Sequence, residues 1–244
     1  MPQLLAGLTY GEHPLQALDL FMPERPSPRL MVFIHGGGWR GGDKQHYRAL
    51  GALLAGFGYA VALPNHRLAP EHPYPAAAED VAAAIAWLLR YSVESGIQPQ
   101  GIYLGGHSSG AHLAALLATH PRYRPAASIA GVICISGVYD LAAYGMAAEY
   151  LGPAFGRDPA VWADASPLSH VQRGLPPFFL AHAEFDFPGA GAQAKAMAAA
   201  IGAVGGDARV VAVPGRDHVT ILTGVQSFFD PLATGLALFL RGAG

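Results

Sequence analysis

Five residues, Gly106-His107-Ser108-Ser109-Gly110, constrain this chain more than any other stretch. They follow a short apolar run, Ile102-Tyr103-Leu104, and open a segment rich in alanine and leucine. The pattern is strand, sharp turn, helix, with a serine at the apex. Such a turn holds the serine in a strained backbone state with its hydroxyl exposed. Small residues two before and two after it let strand and helix pass closely. In a chain with 31 glycines the pattern alone is a weak signal, so its weight depends on what accompanies it.

Three features accompany it. His35-Gly36-Gly37-Gly38-Trp39 directly follows the apolar run Leu30-Met31-Val32-Phe33-Ile34. Glycines in that position can turn backbone N–H groups toward one point, where an acyl-transfer intermediate gathers negative charge on oxygen. His218 lies late in the chain, in Pro214-Gly215-Arg216-Asp217-His218, and an acidic pair lies between, in His182-Ala183-Glu184-Phe185-Asp186. A serine hydroxyl is a weak nucleophile until a base takes its proton, so Ser108 is the candidate nucleophile and His218 the candidate base. Asp186 would fix the imidazole tautomer and stabilise the imidazolium. Glu184 is the alternative acid, nearer the strand end. Asp186 is preferred because Phe187-Pro188 puts it in a loop. Asp217 adjoins His218 and is read as structuring the loop. The oxyanion donors are expected to be the N–H groups of Ser109 and of Gly37 or Gly38. His35 is expected to organise the glycine loop, and His107 to point away from the serine hydroxyl. Trp39 reads equally well as a lining of the substrate pocket and as a packing anchor.

Eleven histidines raise the alternative of a metal. His107 and His112 straddle the sharp turn, and His66 and His72 flank a proline-rich turn without a third ligand nearby. No His-Glu-x-x-His or cysteine pair is present, so no metal site is expected. The glycine-rich stretch at residues 35–42 lacks the Gly-Lys-Ser/Thr ending of a phosphate loop. A net charge of −2 and the absence of a basic cluster give no argument for nucleic acid or an anionic membrane. Cys134, the sole cysteine, excludes an intrachain disulfide and sits in the apolar run Val132-Ile133-Cys134-Ile135, where it reads as a small core residue. The first eleven residues lack a basic region followed by a long apolar stretch, and no segment has transmembrane length, so the expected location is the cytoplasm.

The apolar fraction of 52% against 13% charged residues fits a large buried core and excludes disorder. Strands are expected at residues 15–21, 30–35, 59–63, 102–104, 129–135, 178–182 and 209–213. The prolines of residues 23–28 mark a turn between the first two. Helices are expected at residues 47–54, 75–91, 109–119, 189–203 and 227–240. Asp80, near the start of the second helix, is read as complementing that helix N-terminus or bonding a nearby loop. Strands and helices alternate, and several strands are continuously apolar, as burial on both faces of a parallel sheet requires. The expected fold class is α/β, a three-layer α/β/α sandwich with a mostly parallel central sheet. Residues 1–244 form a single domain in this reading. Residues 141–175 are its least regular part, read as one wall of the substrate site or as an ordered surface excursion.

These motifs together resemble the α/β-hydrolase superfamily, in its esterase and lipase branch with a His-Gly-Gly-Gly oxyanion loop. The resemblance rests on His35-Gly36-Gly37-Gly38-Trp39, Gly41-Gly42-Asp43-Lys44, Asn65-His66-Arg67-Leu68-Ala69-Pro70-Glu71-His72, Gly106-His107-Ser108-Ser109-Gly110, Ser166-Pro167 and Gly215-Arg216-Asp217-His218. The order serine, acid, histidine is that of the same superfamily. The segment at residues 67–71 is similar to hormone-sensitive-lipase-like carboxylesterases, but no room exists before the first strand for their helical cap. Trp39 and residues 41–44 are more similar to arylformamidases, kynurenine formamidase among them, and to small feruloyl and acetylxylan esterases. The resemblance implies no large cap domain, a triad at Ser108, Asp186 and His218, oxyanion glycines at Gly37 and Gly38, and no cofactor. Many members carry a glycine before the acid, which this chain lacks, so Glu184 stays open as the alternative. The implied function is hydrolysis of a small carboxylic ester through an acyl-serine. Hydrolysis of N-formylkynurenine or a similar formamide is the first alternative. A catalytically silent hydrolase fold used for ligand binding is the second.

Overall fold

A computed structural model describes residues 2–25, 29–94, 99–144, 148–224 and 230–242 of the 244-residue chain. Eight strands form one sheet: β1 (Gln3–Thr9), β2 (Ala17–Met22), β3 (Arg29–Ile34), β4 (Ala60–Pro64), β5 (Gly101–His107), β6 (Ile129–Ile135), β7 (Phe178–Phe185) and β8 (Ala208–Asp217). Their spatial order is β1-β2-β4-β3-β5-β6-β7-β8. The β1–β2 and β2–β4 pairs are antiparallel, and every pair from β4 through β3 to β8 is parallel. This is the mostly parallel sheet expected from the sequence. The unforeseen strand is β1, an edge strand with most side chains exposed and Gly7 in its middle.

The helices are α1 (Arg48–Gly56), α2 (Ala76–Glu94), α3 (Ser109–Thr119), α4 (Ala148–Phe155), α5 (Pro159–Ala165), α6 (Ala190–Ala203), α7 (Thr220–Thr223) and α8 (Pro231–Gly242). Alternate strand residues feed opposite layers, as the two-residue period of a strand requires. Leu30, Val32 and Ile34 of β3 belong to one buried cluster with Val81, Ile85 and Leu88 of α2, with α3 and with Met197 and Ile201 of α6. Met31 and Phe33 face the other way and belong to a second cluster with Leu54 of α1 and Leu232 of α8. All eleven residues of α3 are buried, which explains a sequence with no polar face beyond His112. The helix expected at residues 47–54 is α1, entered through a 3-10 turn at Lys44–Tyr47. Of the helix expected at residues 227–240, residues 227–229 lie outside the described residues, as do residues 26–28 of the proline turn. Two short helices, α4 and α5, occupy the irregular region. Pro153 inside α4 and the seven-residue length of α5 hid them from a periodicity argument. Among the described residues no helix is long and apolar enough to cross a membrane.

Polar ties fix the loops that leave the sheet. Asp80 is bonded by Arg67 through its backbone N–H, Nε and Nη2, and by Gln16 Nε2, so it clamps the segment after β4 rather than a helix end. Asp19 on β2 is fully buried and accepts from Gly7 N–H at 2.9 Å and Arg48 Nε at 2.7 Å, with Lys44 Nζ at 3.4 Å. Burial pushes its pKa up, but the bonds from Arg48 and Gly7 and the Lys44 charge outweigh that and hold it below the usual carboxylate value. Removing one partner of a buried pair leaves the other charge uncompensated. Asp19→Ala strands the buried Lys44, so it is expected to destabilise the protein by about 3 kcal/mol, read as a lower urea midpoint at unchanged slope. A midpoint within error of the wild type would show that these ties contribute nothing.

Candidate active site

The carboxyl ends of four parallel strands meet at one place, where ligands bind in open α/β sheets. β5 ends in the turn carrying Ser108, β3 in the glycine loop, β7 in the loop bearing Asp186, and β8 in the loop bearing His218. Ser108 has φ 56° and ψ −122°, a left-handed backbone state that costs a non-glycine residue about 1–3 kcal/mol. Packing imposes it. A Cβ on Gly106 would overlap Gly110, and a Cβ on Gly110 would overlap the carbonyl oxygens of Ile34 and His35 at the end of β3. Ser108 N–H donates to Ile135 O at 2.8 Å, tying the turn to β6.

Ser108 Oγ lies 3.0 Å from His218 Nε2, and His218 Nδ1 lies 2.6 Å from Asp186 Oδ1. Asp186 Oδ1 also accepts from Phe187 N–H, and Oδ2 accepts from Ala183 N–H at 2.9 Å and Ser136 Oγ at 2.5 Å. Burial alone would raise the Asp186 pKa. The bonds from His218, Ser136, Ala183 and Phe187 reverse this and bring it to about 2. An ionised Asp186 requires the proton on His218 Nδ1, which leaves the Nε2 lone pair facing the serine hydroxyl. Glu184 is elsewhere: it is exposed, and its Oε2 accepts from Gly215 N–H at 2.7 Å. Asp217 accepts from Val219 and Thr220 N–H groups and closes the turn after His218. Ser136 was not singled out in the sequence. It is buried, with φ 53°, and nothing local in Ser136-Gly137 marks it as a partner of an acid 50 residues away.

The glycine loop is arched by Gly37, whose φ of 136° suits only glycine and whose carbonyl accepts from Arg40 and Gly41 N–H groups. Among the described residues the N–H groups of Gly37 and Gly38 have no backbone acceptor. Ser109 N–H, at the first position of α3, is one of the donors a helix leaves unpaired. His35 Nδ1 bonds Gly36 O at 2.9 Å, and its ring stacks on His66 at 4.5 Å. Trp39 is almost wholly buried. Its Nε1–H donates to His112 Nδ1 at 3.1 Å, and its ring packs on Phe155, so it anchors the loop to α3 and α4 and presents little ring surface outward.

His107 makes no bond to Ser108 Oγ. Gly36 N–H donates to Tyr47 Oη at 2.9 Å. The Tyr47 hydroxyl donates to His107 Nδ1 at 3.0 Å, and His107 Nε2–H donates to His218 O at 2.8 Å. The glycine loop and the His218 loop are thereby joined through the residue beside Ser108. His112 works similarly, accepting from Trp39 and donating from Nε2 to Ala165 O at 2.8 Å. Neither His107 nor His112 has a nitrogen left for a metal. Among the described residues, His120, Asp164 and His170 are one group that could approach a cation. Its protons are already assigned. His120 Nδ1 accepts from Arg122 N–H, so its Nε2 carries a proton toward Asp164 Oδ1 at 3.2 Å, and Tyr74 donates to Asp164 Oδ2. A cation on that nitrogen would have to displace the proton.

Sheet order and elbow define the α/β-hydrolase fold. The chain matches the BD-FAE family over residues 18–201 and belongs to it. It is 31% identical to esterase LipC of Mycobacterium tuberculosis over 95% of this chain and 63% of that protein. It is 32% identical to kynurenine formamidase of Danio rerio over 57% of this chain and 47% of that protein. The chain thus spans less than two thirds of these curated relatives. Inhibited esterase B from Lactobacillus rhamnosis superposes with a TM-score of 0.84 at 25% identity, covering 99% of this chain and 86% of that one. The esterase and formamidase relatives agree with the superfamily resemblance read from the sequence.

Two-sided bonding by His107 and His112 requires neutral rings. Burial pushes each down to about 4, with the His218 charge adding to the effect at His107. Burial, then the neighbouring His66, takes His35 to about 3. In the unfolded chain these rings take up protons near 6.5, so their stabilising contribution is complete above that pH and is lost as pH falls toward 4. The urea midpoint should therefore fall steadily from pH 7 to pH 4. Glutamine can mimic both bonds of His112 without titrating, so His112→Gln should remove on the order of 3 kcal/mol of that pH dependence. A flat midpoint across the window, or an unchanged slope in the variant, would contradict this.

Proposed function

We propose that this chain is a serine-dependent carboxylic ester hydrolase, with Ser108, His218 and Asp186 as its catalytic triad. The observation that carries this reading is the unbroken line from Ser108 Oγ through the His218 ring to the ionised Asp186. In the first half-reaction Ser108 Oγ attacks the ester carbonyl while its proton passes to His218 Nε2. Charge gathers on the carbonyl oxygen, and the N–H groups of Gly37, Gly38 and Ser109 receive it. Donors of this kind stabilise the transition state more than the ground state. The imidazolium is stabilised by Asp186 and returns its proton to the departing alcohol. In the second half-reaction water attacks the acyl-serine, His218 takes the water proton, and that proton passes to Ser108 Oγ as the acid leaves. The cycle closes with side-chain and backbone groups alone, without a cofactor.

A formamide substrate is the second reading, favoured by the kynurenine formamidase relative. The same donors serve, because amide and ester both pass through an oxyanion. The silent-fold alternative is less economical, since it leaves the strained Ser108 and the four-donor Asp186 without a use. The partner in either catalytic reading is a small molecule. All eight strands lie in one sheet, which supports a single domain. The cytoplasm is the proposed location, in keeping with a sequence whose single cysteine can form no intrachain disulfide.

Ser108→Ala is expected to lower kcat by up to about 10⁶-fold, the scale reached by triad serines elsewhere, with the circular dichroism unchanged. A fluorophosphonate should label Ser108, read by peptide mass spectrometry. Label on another residue of active protein would remove Ser108 from the mechanism.

The acid is tested separately. Asp186→Asn leaves the wrong histidine tautomer accessible and should cost about 10⁴-fold in kcat, whereas Glu184→Gln should stay near the wild-type rate. The reverse ranking would give the role to Glu184.

A further inference from the structure

Arg40 stands at the rim of the glycine loop, two residues beyond Gly38, so their Cα atoms are no more than about 8 Å apart. Its side chain is exposed, and its guanidinium carbon lies over the ring of Tyr150, 4.8 Å from the centroid. Tyr150 also reaches the loop: a Cβ on Gly38 would come within 2.5 Å of its hydroxyl. From Tyr150 a row of rings runs back toward the triad. Tyr150 meets Tyr144 at 6.2 Å, Tyr144 meets Phe187 at 5.2 Å, and Phe187 meets His218 at 5.6 Å. One end of this row is thus the candidate base and the other is a fixed positive charge.

Among the described residues that charge is paired with no carboxylate. Arg48, Arg67, Arg122 and Arg216 are each paired with a carboxylate, whereas among the described residues Arg40 has only the Tyr150 ring. A ring contact uses none of a guanidinium's N–H donors as a hydrogen bond to a carboxylate would, and those donors form a fork that matches a carboxylate. The tyrosine limits its wandering, so less freedom is lost when an anion binds. No step of the mechanism proposed above uses this cation.

We propose that Arg40 is a specificity-determining residue, selecting esters that carry a carboxylate remote from the scissile bond and binding that group while Ser108 attacks the ester carbonyl. The inference rests on the esterase reading and adds the substrate class to it. The carboxylate can belong to the acyl part, as in a hemiester of a dicarboxylic acid, or to the alcohol part, as in an ester of a hydroxy acid.

The test compares kcat/KM for matched anionic and neutral esters. The acyl-side pair is p-nitrophenyl hemiglutarate against p-nitrophenyl valerate, and the alcohol-side pair is 4-acetoxybenzoate against its methyl ester. In at least one pair, Arg40→Gln is expected to lower the anionic-to-neutral ratio about tenfold, the scale of one charge-assisted contact. Arg40→Glu should lower it further by adding repulsion. The pair that responds identifies which side of the ester carries the anion. In the wild type the same ratio should fall with added salt, as an exposed ionic contact does. Ratios unmoved by both substitutions in both pairs would overturn the role of Arg40 and leave the esterase standing. Failure to hydrolyse any of the four esters would overturn the esterase reading, and this inference with it.

Discussion

The absence of clearance between α3 and the end of β3 governs the rest of the structure. Gly110 sits against the carbonyls of Ile34 and His35, and Gly106 against Gly110 itself, so neither position has room for a Cβ. This contact forces the chain from β5 into α3 through a single strained residue, Ser108. It also sets the glycine loop beside the first turn of α3, because that loop is the direct continuation of β3. The candidate nucleophile and the candidate oxyanion donors are therefore neighbours as a consequence of packing. Among the described residues only Trp39, Ser108 and Ser136 are non-glycines with positive φ, and each flanks the candidate site. Strain of this kind persists only where surrounding structure over-determines it. Here that structure is the fully buried α3 and the central strands β3, β5 and β6.

A second layer of order comes from neutral imidazoles. A neutral histidine accepts at one nitrogen and donates at the other, so a buried one can splice two backbone segments. His107 splices the glycine loop, through Tyr47, to the carbonyl of His218. His112 splices Trp39 to Ala165, and thus the same loop to α5. Lysine or arginine could not do this, having no acceptor, and serine would not reach across. The burial that lowers these pKa values is what makes the rings usable as connectors. His218 differs from them: its ring is partly open to solvent and its second nitrogen faces a hydroxyl instead of a backbone group.

Much of this was legible in the sequence because it is local. The apolar runs gave the parallel strands, and the small residues around Ser108 and after His35 gave the two loops. Chain order linked serine, acid and histidine. What was not legible is non-local or lacks a pattern. β1 is an exposed edge strand held by antiparallel pairing to β2, and its residues show no burial period. Spacing could not separate Glu184 from Asp186, since residues two apart on an extended strand share a face. They part because β7 runs on to Phe185, which leaves Glu184 facing Gly215 of β8 while Asp186 turns into the loop toward His218. Ser136 and Tyr150 act through partners distant in sequence, which one chain read alone does not pair.

The irregular region at residues 141–175, open to the readings of substrate-site wall and surface excursion, packs an apolar face on the glycine loop. Leu141, Leu151, Ala154 and Phe155 form a third apolar cluster whose inner member is Trp39. Trp39 is consumed by that contact and by its bond to His112, so the tryptophan most visible in the sequence serves as the bolt between excursion and glycine loop. The half-buried Tyr150 supplies outward aromatic surface instead, resting on the buried Tyr144 of the same cluster. The excursion reaches the elbow helix directly as well, since Phe155 of α4 packs on His112 and Ala165 of α5 accepts from the same ring. Tyr150 lies outside these contacts, so the aromatic surface beside the candidate site can change at that position without disturbing the constraint that holds Ser108.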